Sequence, residues 1–159
     1  MRLQGNPTLT EVVGLSERTD DIIRIARSWI GTPYHHQASV KGVGADCIGL
    51  IRGVYRELYG VEPPEIINYS PDWGDADGNE HMLRAARQYL EPVPLGSMSP
   101  GHVILIRWKD KRVAKHAMIL TDDRRAIHAY NRSPVCEIHL NSWWMRRVVF
   151  AFAFPQEVK

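Results

Sequence analysis

The stretch Gly44-Ala45-Asp46-Cys47-Ile48-Gly49-Leu50 joins a loop of small residues to a helix-periodic segment and places a cysteine in its first turn. Unpaired backbone N–H groups and the positive end of a helix dipole favour the thiolate, which is the reactive form of cysteine. We therefore interpret Cys47 as a candidate nucleophile of a cysteine hydrolase. The alternative is a small buried apolar side chain, since most unpaired cysteines are of this kind. Apolar residues follow at helical spacing and a glycine marks the predicted helix end: Ile51, Val54, Tyr55, Leu58, Tyr59 and Gly60.

Length and composition are those of one domain that can bury a core without disulfides or metal. The chain has 159 residues and two cysteines, Cys47 and Cys136, which lie in segments of opposite character. A disulfide framework is therefore not expected, and the composition suits reducing conditions. No apolar run approaches the ~18 residues of a membrane span, and the first residues lack the apolar core of a signal peptide. We expect any export to use another route.

Charge is distributed unevenly along the chain. Residues 1–100 carry 9 basic and 13 acidic side chains, whereas residues 101–159 carry 11 basic and 5 acidic ones. A basic second half favours an acidic substrate or a polyanionic surface, but a solvated basic sheet face is the more typical origin of such a bias. We expect no nucleic-acid binding.

The apolar periodicity changes from helical to alternating near Pro100-Gly101. Residues 1–18 show weak periodicity and are interpreted as an N-terminal arm, and residues 19–159 as a single catalytic domain. A first helix is predicted from a cap at Thr19 or Asp20 to about Ile30. We expect an α+β fold, with N-terminal helices packed on one face of a five- to six-stranded antiparallel sheet. Besides the helix after Cys47, a short helix is predicted around 82–89, and strands at about 102–109, 114–120, 125–130, 135–140 and 148–154.

A thiol nucleophile needs a base that takes its proton, and a third group that orients the base. His116 and His128 lie in two neighbouring predicted strands. A three-residue hairpin loop, 121–123, places these histidines opposite each other on one face of the sheet. A two-residue loop, 122–123, pairs His128 with Ala117 and turns His116 to the other face. The catalytic interpretation therefore predicts the odd-length loop, and ordinary half-buried strand histidines are the alternative.

Five segments spread over residues 20–154 form a specific combination. They are Trp29-Ile30-Gly31-Thr32-Pro33-Tyr34, Gly44-Ala45-Asp46-Cys47-Ile48-Gly49-Leu50, Pro100-Gly101-His102-Val103, His116-Ala117-Met118-Ile119 and Ile127-His128-Ala129. In this combination the chain resembles the NlpC/P60 family of papain-like cysteine peptidases. The resemblance implies a papain-like fold in which Cys47 is the nucleophile, His116 the base and His128 the polar third member. The implied substrate is the peptidoglycan stem peptide, often cut at the bond between γ-D-glutamate and the diamino acid.

Two residues depart from the family pattern, and they touch substrate choice and a local contact rather than the chemistry. Ile48 stands where many members have a serine that helps hold the substrate amine, whereas Tyr34 and Asp46 match the rest of that pocket. His102 replaces an aspartate, and we interpret it as structural. Gln37 is a candidate oxyanion donor together with the Cys47 N–H, with a loop-stabilising amide as the equal alternative.

The segment His36-Gln37-Ala38-Ser39 looks most like single-domain members encoded with phage tails or gene transfer agents. We expect a chain made in the cytoplasm without a signal peptide, then carried in a virion-like tail or released on lysis. Tail proteins are the expected partners, and 63–73 and the N-terminal arm are candidate contact surfaces. A non-catalytic tail protein that keeps the fold, and an acyl or peptidyl transferase with the same triad, stay open as alternatives. No metal or other cofactor is expected, because neither His-Glu-x-x-His nor paired-cysteine spacing occurs.

Overall fold

The computed structural model describes residues 6–63, 69–70 and 77–158. It confirms the α+β fold. The described helices are α1 (Leu9–Ser28), α2 (Cys47–Tyr59), α3 (His81–Tyr89) and α4 (Ser142–Met145), and a single 3₁₀ turn covers Leu95–Ser97. The described strands are β1 (Ser39–Val40), β2 (Gly44–Ala45), β3 (Glu91–Val93), β4 (Val103–Ile106), β5 (His116–Asp122), β6 (Arg125–His128), β7 (Cys136–His139) and β8 (Val148–Ala153).

Helix α1 begins ten residues before the predicted cap, so the predicted start at Thr19 or Asp20 is wrong. Its N-cap is Thr8, whose hydroxyl accepts from the Glu11 N–H while the Glu11 carboxylate accepts from the Thr8 N–H. This reciprocal pair satisfies two helix-end donors. The first turns nevertheless stand in solvent, since Leu9 is 85% exposed. The division into an arm 1–18 and a domain 19–159 stays a prediction.

Six strands form one antiparallel sheet in the order β3-β8-β4-β5-β6-β7. The five predicted strands are present, although most are shorter than predicted. Strand β3 lies at the edge of the sheet and pairs with β8. Proline has no N–H to donate, and an edge strand tolerates Pro92 because no strand of the described chain lies on its outer side. A separate two-stranded hairpin, β1-β2, precedes α2.

The β5-β6 hairpin sets the relative position of the two candidate histidines. Leu120 pairs with Ala126, and the register shifts between Leu120 and Asp122 because of a β-bulge. His128 therefore lies two residues along the strand from the position opposite His116. The predicted direct pairing is wrong, and so is the two-residue alternative. The even offset still keeps both histidines on one face, where diagonal neighbours with long or aromatic side chains can touch.

The sheet is covered on both faces. Helices α1, α2 and α3 pack on the face that carries Leu105, Ala117 and Ile119. The opposite face, which carries the histidines, has a second apolar cluster: Ile104, Ile106, Met118, Leu120, Ala126, Leu140, Val148 and Ala151, with Trp108 and Trp144 packed against it.

No helix in the described part of the chain is long and apolar enough to cross a membrane. In the candidate contact segment 63–73, residues 64–68 and 71–73 lie outside the described residues, so its role stays a prediction.

Candidate active site

Cys47 is the first residue of α2, as predicted. The preceding residue, Asp46, is the N-cap, and its carboxylate accepts from the Gly49 N–H at 2.7 Å. Gly60 ends the helix in the left-handed conformation, with φ 69°, and its N–H donates to the Arg56 carbonyl. The local sequence therefore fixes both ends of the helix that carries the thiol.

The loop before α2 packs tightly against the helix start. A Cβ at Gly49 would lie 1.8 Å from the Ala38 carbonyl oxygen, so this position requires glycine. The Ser39 hydroxyl donates to the Gly49 carbonyl at 2.6 Å. These contacts hold the loop and the first turn of α2, and with it the Cys47 sulfur, in one arrangement.

Asp46 is buried, with 3% of its surface exposed, and its second carboxylate oxygen is also occupied. That oxygen accepts from the Gln37 N–H at 2.7 Å and from the Tyr69 hydroxyl, and the His36 ring lies 3.7 Å away. Burial, and secondarily the Asp46 charge, raise the pKa of Tyr69, so its hydroxyl stays a donor. Asp46 thus joins the loop to the helix before any substrate is considered.

The Cys47 thiol is less acidic than its helix position predicts. Burial, followed by the nearby Asp46 charge, raises the pKa of Cys47 to about 12. The backbone N–H groups of Ala117, Ile48 and Cys47 act in the opposite direction but are outweighed. The helix end favours the thiolate, but the desolvation and the Asp46 charge act against it. The Ala117 contact places the sulfur against the backbone of β5, next to His116.

His116 and His128 form a buried, hydrogen-bonded pair. His116 Nε2 lies 2.9 Å from His128 Nδ1, and the two side chains are 3% and 4% exposed. Burial lowers the pKa of both histidines, and the proximity of His128 lowers the pKa of His116 further. The pair is therefore neutral at pH 7. Because Nε2 of His116 is engaged with His128, Nδ1 is the nitrogen left to receive a proton from a substrate or thiol.

Aromatic rings enclose this pair, a feature that the sequence analysis missed. Trp108 stacks on His116 with ring centroids 5.4 Å apart and planes 22° apart. Tyr130 lies parallel to His128, with centroids 5.9 Å apart, and Trp144 meets His128 edge-on at 5.8 Å. The short helix α4, which contains Trp144, therefore packs on the histidines. The sequence predicted a strand at about 102–109 that included Trp108, whereas β4 ends at Ile106. Trp108 therefore lies in a loop, and the strand pattern could not indicate its contact with His116.

A cleft of about 380 Å³ opens at the cysteine. It brings together four predicted site residues, Tyr34, Asp46, Cys47 and Ile48. Burial, with smaller contributions from Asp46 and Cys47, raises the pKa of Tyr34, so its hydroxyl is neutral. The remaining described lining residues are His36, Tyr69, Ser70, Met82, Trp108, Lys115, Tyr130 and Asn131.

Gln37 does not line this cleft. Its side-chain amide donates to the Tyr69 carbonyl at 2.5 Å, and its backbone has φ 63°. This bond favours the loop-stabilising alternative, and the oxyanion role stays a prediction. His102 lies at the turn before β4, where its Nδ1 accepts from the Ser99 N–H, a local contact that fits the structural interpretation.

Cys136 lies in β7 directly opposite His128. Cys136 has no histidine next to it in sequence, but the strand pairing brings His128 opposite it. Burial raises the pKa of this thiol, so it is protonated at neutral pH. Within the described residues, no group of three or more His, Cys, Asp or Glu side chains could hold a metal ion.

A helix-start thiol in contact with the backbone of an antiparallel sheet, at a strand that also carries one histidine of a buried pair, is the arrangement of a papain-like fold. The model of the NlpC/P60 family matches residues 31–152, and the chain belongs to this family. A search of the curated proteins finds no match.

Solved structures support the same fold. The NlpC/P60 domain of the peptidoglycan hydrolase SagA is similar with a TM-score of 0.61 and 19% identity, over 86% of this chain and 98% of that one. An NLP/P60-family protein from Staphylococcus aureus has a TM-score of 0.63 and 18% identity, over 89% of this chain and 42% of that one. The peptidoglycan hydrolase RipB from Mycobacterium tuberculosis has a TM-score of 0.58 and 19% identity, over 96% and 73%. The chain thus spans less than half of the staphylococcal protein.

Proposed function

We propose that this protein is a cysteine peptidase that hydrolyses peptide bonds in peptidoglycan stem peptides, at the bond between γ-D-glutamate and the diamino acid. The observation that carries the proposal is the contact of a helix-start thiol with the β5 backbone at Ala117, the residue after His116, whose ring forms a buried and neutral pair with His128. Membership of the NlpC/P60 family supports a cell wall hydrolase, and two structural relatives are described as peptidoglycan hydrolases.

In the proposed mechanism, His116 acts as a general base and not as the partner of a preformed thiolate. The Cys47 proton moves to Nδ1 of His116 as the sulfur attacks the scissile carbonyl carbon. The protonated ring then gives this proton to the departing amine, which leaves a thioester on Cys47. His116 next takes a proton from water, and the resulting attack releases the carboxylic acid and restores the thiol. His128 holds the ring orientation throughout.

The imidazolium that forms transiently needs stabilisation, because burial opposes it. The Trp108 ring lies stacked over His116 within the ~6 Å at which a cation interacts favourably with an aromatic face. Nδ1 of His128 faces Nε2 of His116 and accepts a hydrogen bond from the protonated ring, so it also stabilises the charge. These contacts act on the charged form and therefore favour the transition state.

The proposed substrate preference is for a compact stem-peptide end with a free amine. Tyr34 and Asp46 form the polar wall of the cleft beside Cys47, and Ile48 the apolar wall. Cleavage of stem peptides with free and with blocked N-termini tests this preference. Equal cleavage of the two peptides removes the role of Asp46 in amine recognition.

Incubation with purified peptidoglycan followed by mass spectrometry of released fragments tests the activity and the bond together. We expect fragments cut after γ-D-glutamate, no fragments from Cys47→Ala, and retained release from the matched thiol variant Cys136→Ala. Equal fragment release by Cys47→Ala refutes the cysteine mechanism. Intact wall with every variant refutes the peptidase and favours a structural protein, whereas fragments carrying an added amine indicate transfer.

We further propose delivery to the wall by a phage tail or gene transfer agent. The support is the resemblance of the segment 36–39 to tail-encoded members of the family. Fractionation of particles from the producing cell, with an antibody to the chain, tests this. Detection in purified particles is expected, and absence from them removes the tail proposal.

A further inference from the structure

A second cavity of about 380 Å³ adjoins the catalytic cleft. Trp108 and Lys115 line both cavities. The Trp108 ring, which stacks on His116, therefore separates the reacting groups from this second space by a single side chain. Two of the residues that line the space around Cys47 therefore also line this cavity.

The loop between β4 and β5 gives this second cavity its charge. Lys109 and Arg112 line it together with Lys115, and no described acidic side chain lines it. Lys109 and Arg112 are exposed, and neither forms an ion pair with a described acidic residue. Arg107, in contrast, is held by Glu80 at 3.0 Å. The cavity therefore offers two cations without a described acidic partner beside the catalytic histidine.

Carboxylates are the anions that a γ-linked stem peptide carries close to the scissile bond. A glutamyl residue joined through its γ-carboxyl keeps its α-carboxylate, and guanidinium and ammonium groups are strong donors to carboxylates. We propose that the cavity lined by Trp108, Lys109 and Arg112 is a substrate subsite that binds this free carboxylate. The proposal rests on the proposed function, because it assigns part of the same substrate.

The test compares two peptides that differ at one group. Both are alanyl-γ-D-glutamyl-lysine amides, one with a free glutamyl α-carboxylate and the other with an α-carboxamide. Calorimetric titration into Cys47→Ala protein measures binding without turnover. We expect the carboxylate peptide to bind roughly three- to tenfold more tightly, the range of one or two partly exposed ion pairs. This preference shrinks between about 0.05 M and about 0.5 M salt, because salt screens exposed charges.

Two further variants separate a local subsite from a general field. Lys109→Gln with Arg112→Gln, on the Cys47→Ala background, is expected to lower the preference below about twofold. Lys111→Gln removes one positive charge from the same loop but outside the cavity lining, as each single replacement does within it, and it is expected to keep the preference. Equal binding of the two peptides by the Cys47→Ala protein overturns the subsite. An equal loss of preference in Lys111→Gln overturns it as well.

Cleavage of the carboxylate peptide by the unmodified protein, followed by mass spectrometry, distinguishes the two proposals. A charge-dependent preference without cleavage leaves the subsite standing and refutes the proposed function. Cleavage without the preference leaves the function standing and refutes the subsite. Circular dichroism of each variant checks folding, and the peptide comparison on the parent protein decides the question even if a variant does not fold.

Discussion

Replacement of Asp46 by alanine tests whether this carboxylate holds the site together as well as lining it. The change removes the acceptor for the Gly49 N–H, the Gln37 N–H and the Tyr69 hydroxyl. Gly49 and Tyr69 are buried, so water does not replace their lost partner, whereas Gln37 is exposed and regains a partner from solvent. The loss is therefore dominated by two buried donors.

The magnitude follows from those two bonds. A hydrogen bond to a charged group contributes about 1.5–3 kcal/mol, and an unpaired buried donor costs about 1–3 kcal/mol. Taking about 1.5–2 kcal/mol for each donor, we expect the free energy of unfolding to fall by about 3–4 kcal/mol. A domain of this size has about 5–15 kcal/mol in total. With a shift of about 2–4 °C per kcal/mol, Tm should fall by roughly 6–16 °C.

Thermal unfolding followed by circular dichroism measures this change, with Asp20→Ala as the control. Asp20 is an exposed residue of α1, and its replacement should alter stability by no more than about 0.5 kcal/mol. Asp46→Asn adds a second readout. It removes the charge that raises the Cys47 pKa, so alkylation of the thiol at pH 8 should become faster while stability falls. A Tm within about 2 °C of the unmodified protein for Asp46→Ala would refute the structural role.

Four further outcomes are expected. Because burial and Asp46 raise the pKa of Cys47 to about 12, its alkylation by iodoacetamide should rise about tenfold per pH unit from pH 7 to pH 9; a plateau near pH 7 would show a preformed thiolate. His116→Ala should lower the rate of peptide cleavage by about 10²–10⁴-fold and His128→Gln by less, since an amide still orients the ring; the reverse order would exchange their roles. Because the pKa of both histidines is lowered in the folded chain, only the unfolded chain binds protons on them near pH 6.5. Their contribution to the free energy of unfolding should therefore be constant above about pH 7 and fall as the pH drops below about 6.5. Denaturant titrations should show a flatter pH profile for the variant with His116→Gln and His128→Gln. Gly49→Ala places a Cβ 1.8 Å from a backbone oxygen and should reduce both activity and Tm; unchanged kinetics and melting would contradict the tight loop packing.

Local signals in the sequence were enough to predict the helix that carries the candidate nucleophile. The N-cap, the helical period and the terminal glycine all act within one or two turns, and α2 has the predicted bounds. The start of α1 was missed because its first apolar residues are exposed and mark no buried face. The pair Thr8 and Glu11 was the available signal, since it forms a capping box.

The histidine geometry was predictable only in part. Strand alternation placed His116 and His128 on one face, but the strands pair at Asp122 and Arg125 and shift by one residue before Leu120, so the register differs by two residues from the predicted one. A bulge depends on how the hairpin packs and not on the turn residues alone, so the direct pairing could not be predicted. The contact between Trp108 and His116 could not be predicted for a similar reason, because it joins a loop residue to a ring on the next strand.

The pKa of Cys47 shows how the position of a residue at a helix start and its surroundings in the fold act in opposite directions. A helix N-terminus favours a thiolate, but its contribution is that of partial charges on N–H groups. At Cys47 the desolvation and the full charge of Asp46 outweigh these groups, so the pKa of the thiol is raised. Burial also keeps His116 neutral, so the resting site holds two uncharged partners and the charge separates only during attack. Under this arrangement, the proposed catalysis depends on the groups that stabilise the imidazolium, and Trp108→Leu should lower kcat for peptide cleavage by a larger factor than it raises KM. A rise in KM with kcat retained would mean that Trp108 acts in substrate binding alone.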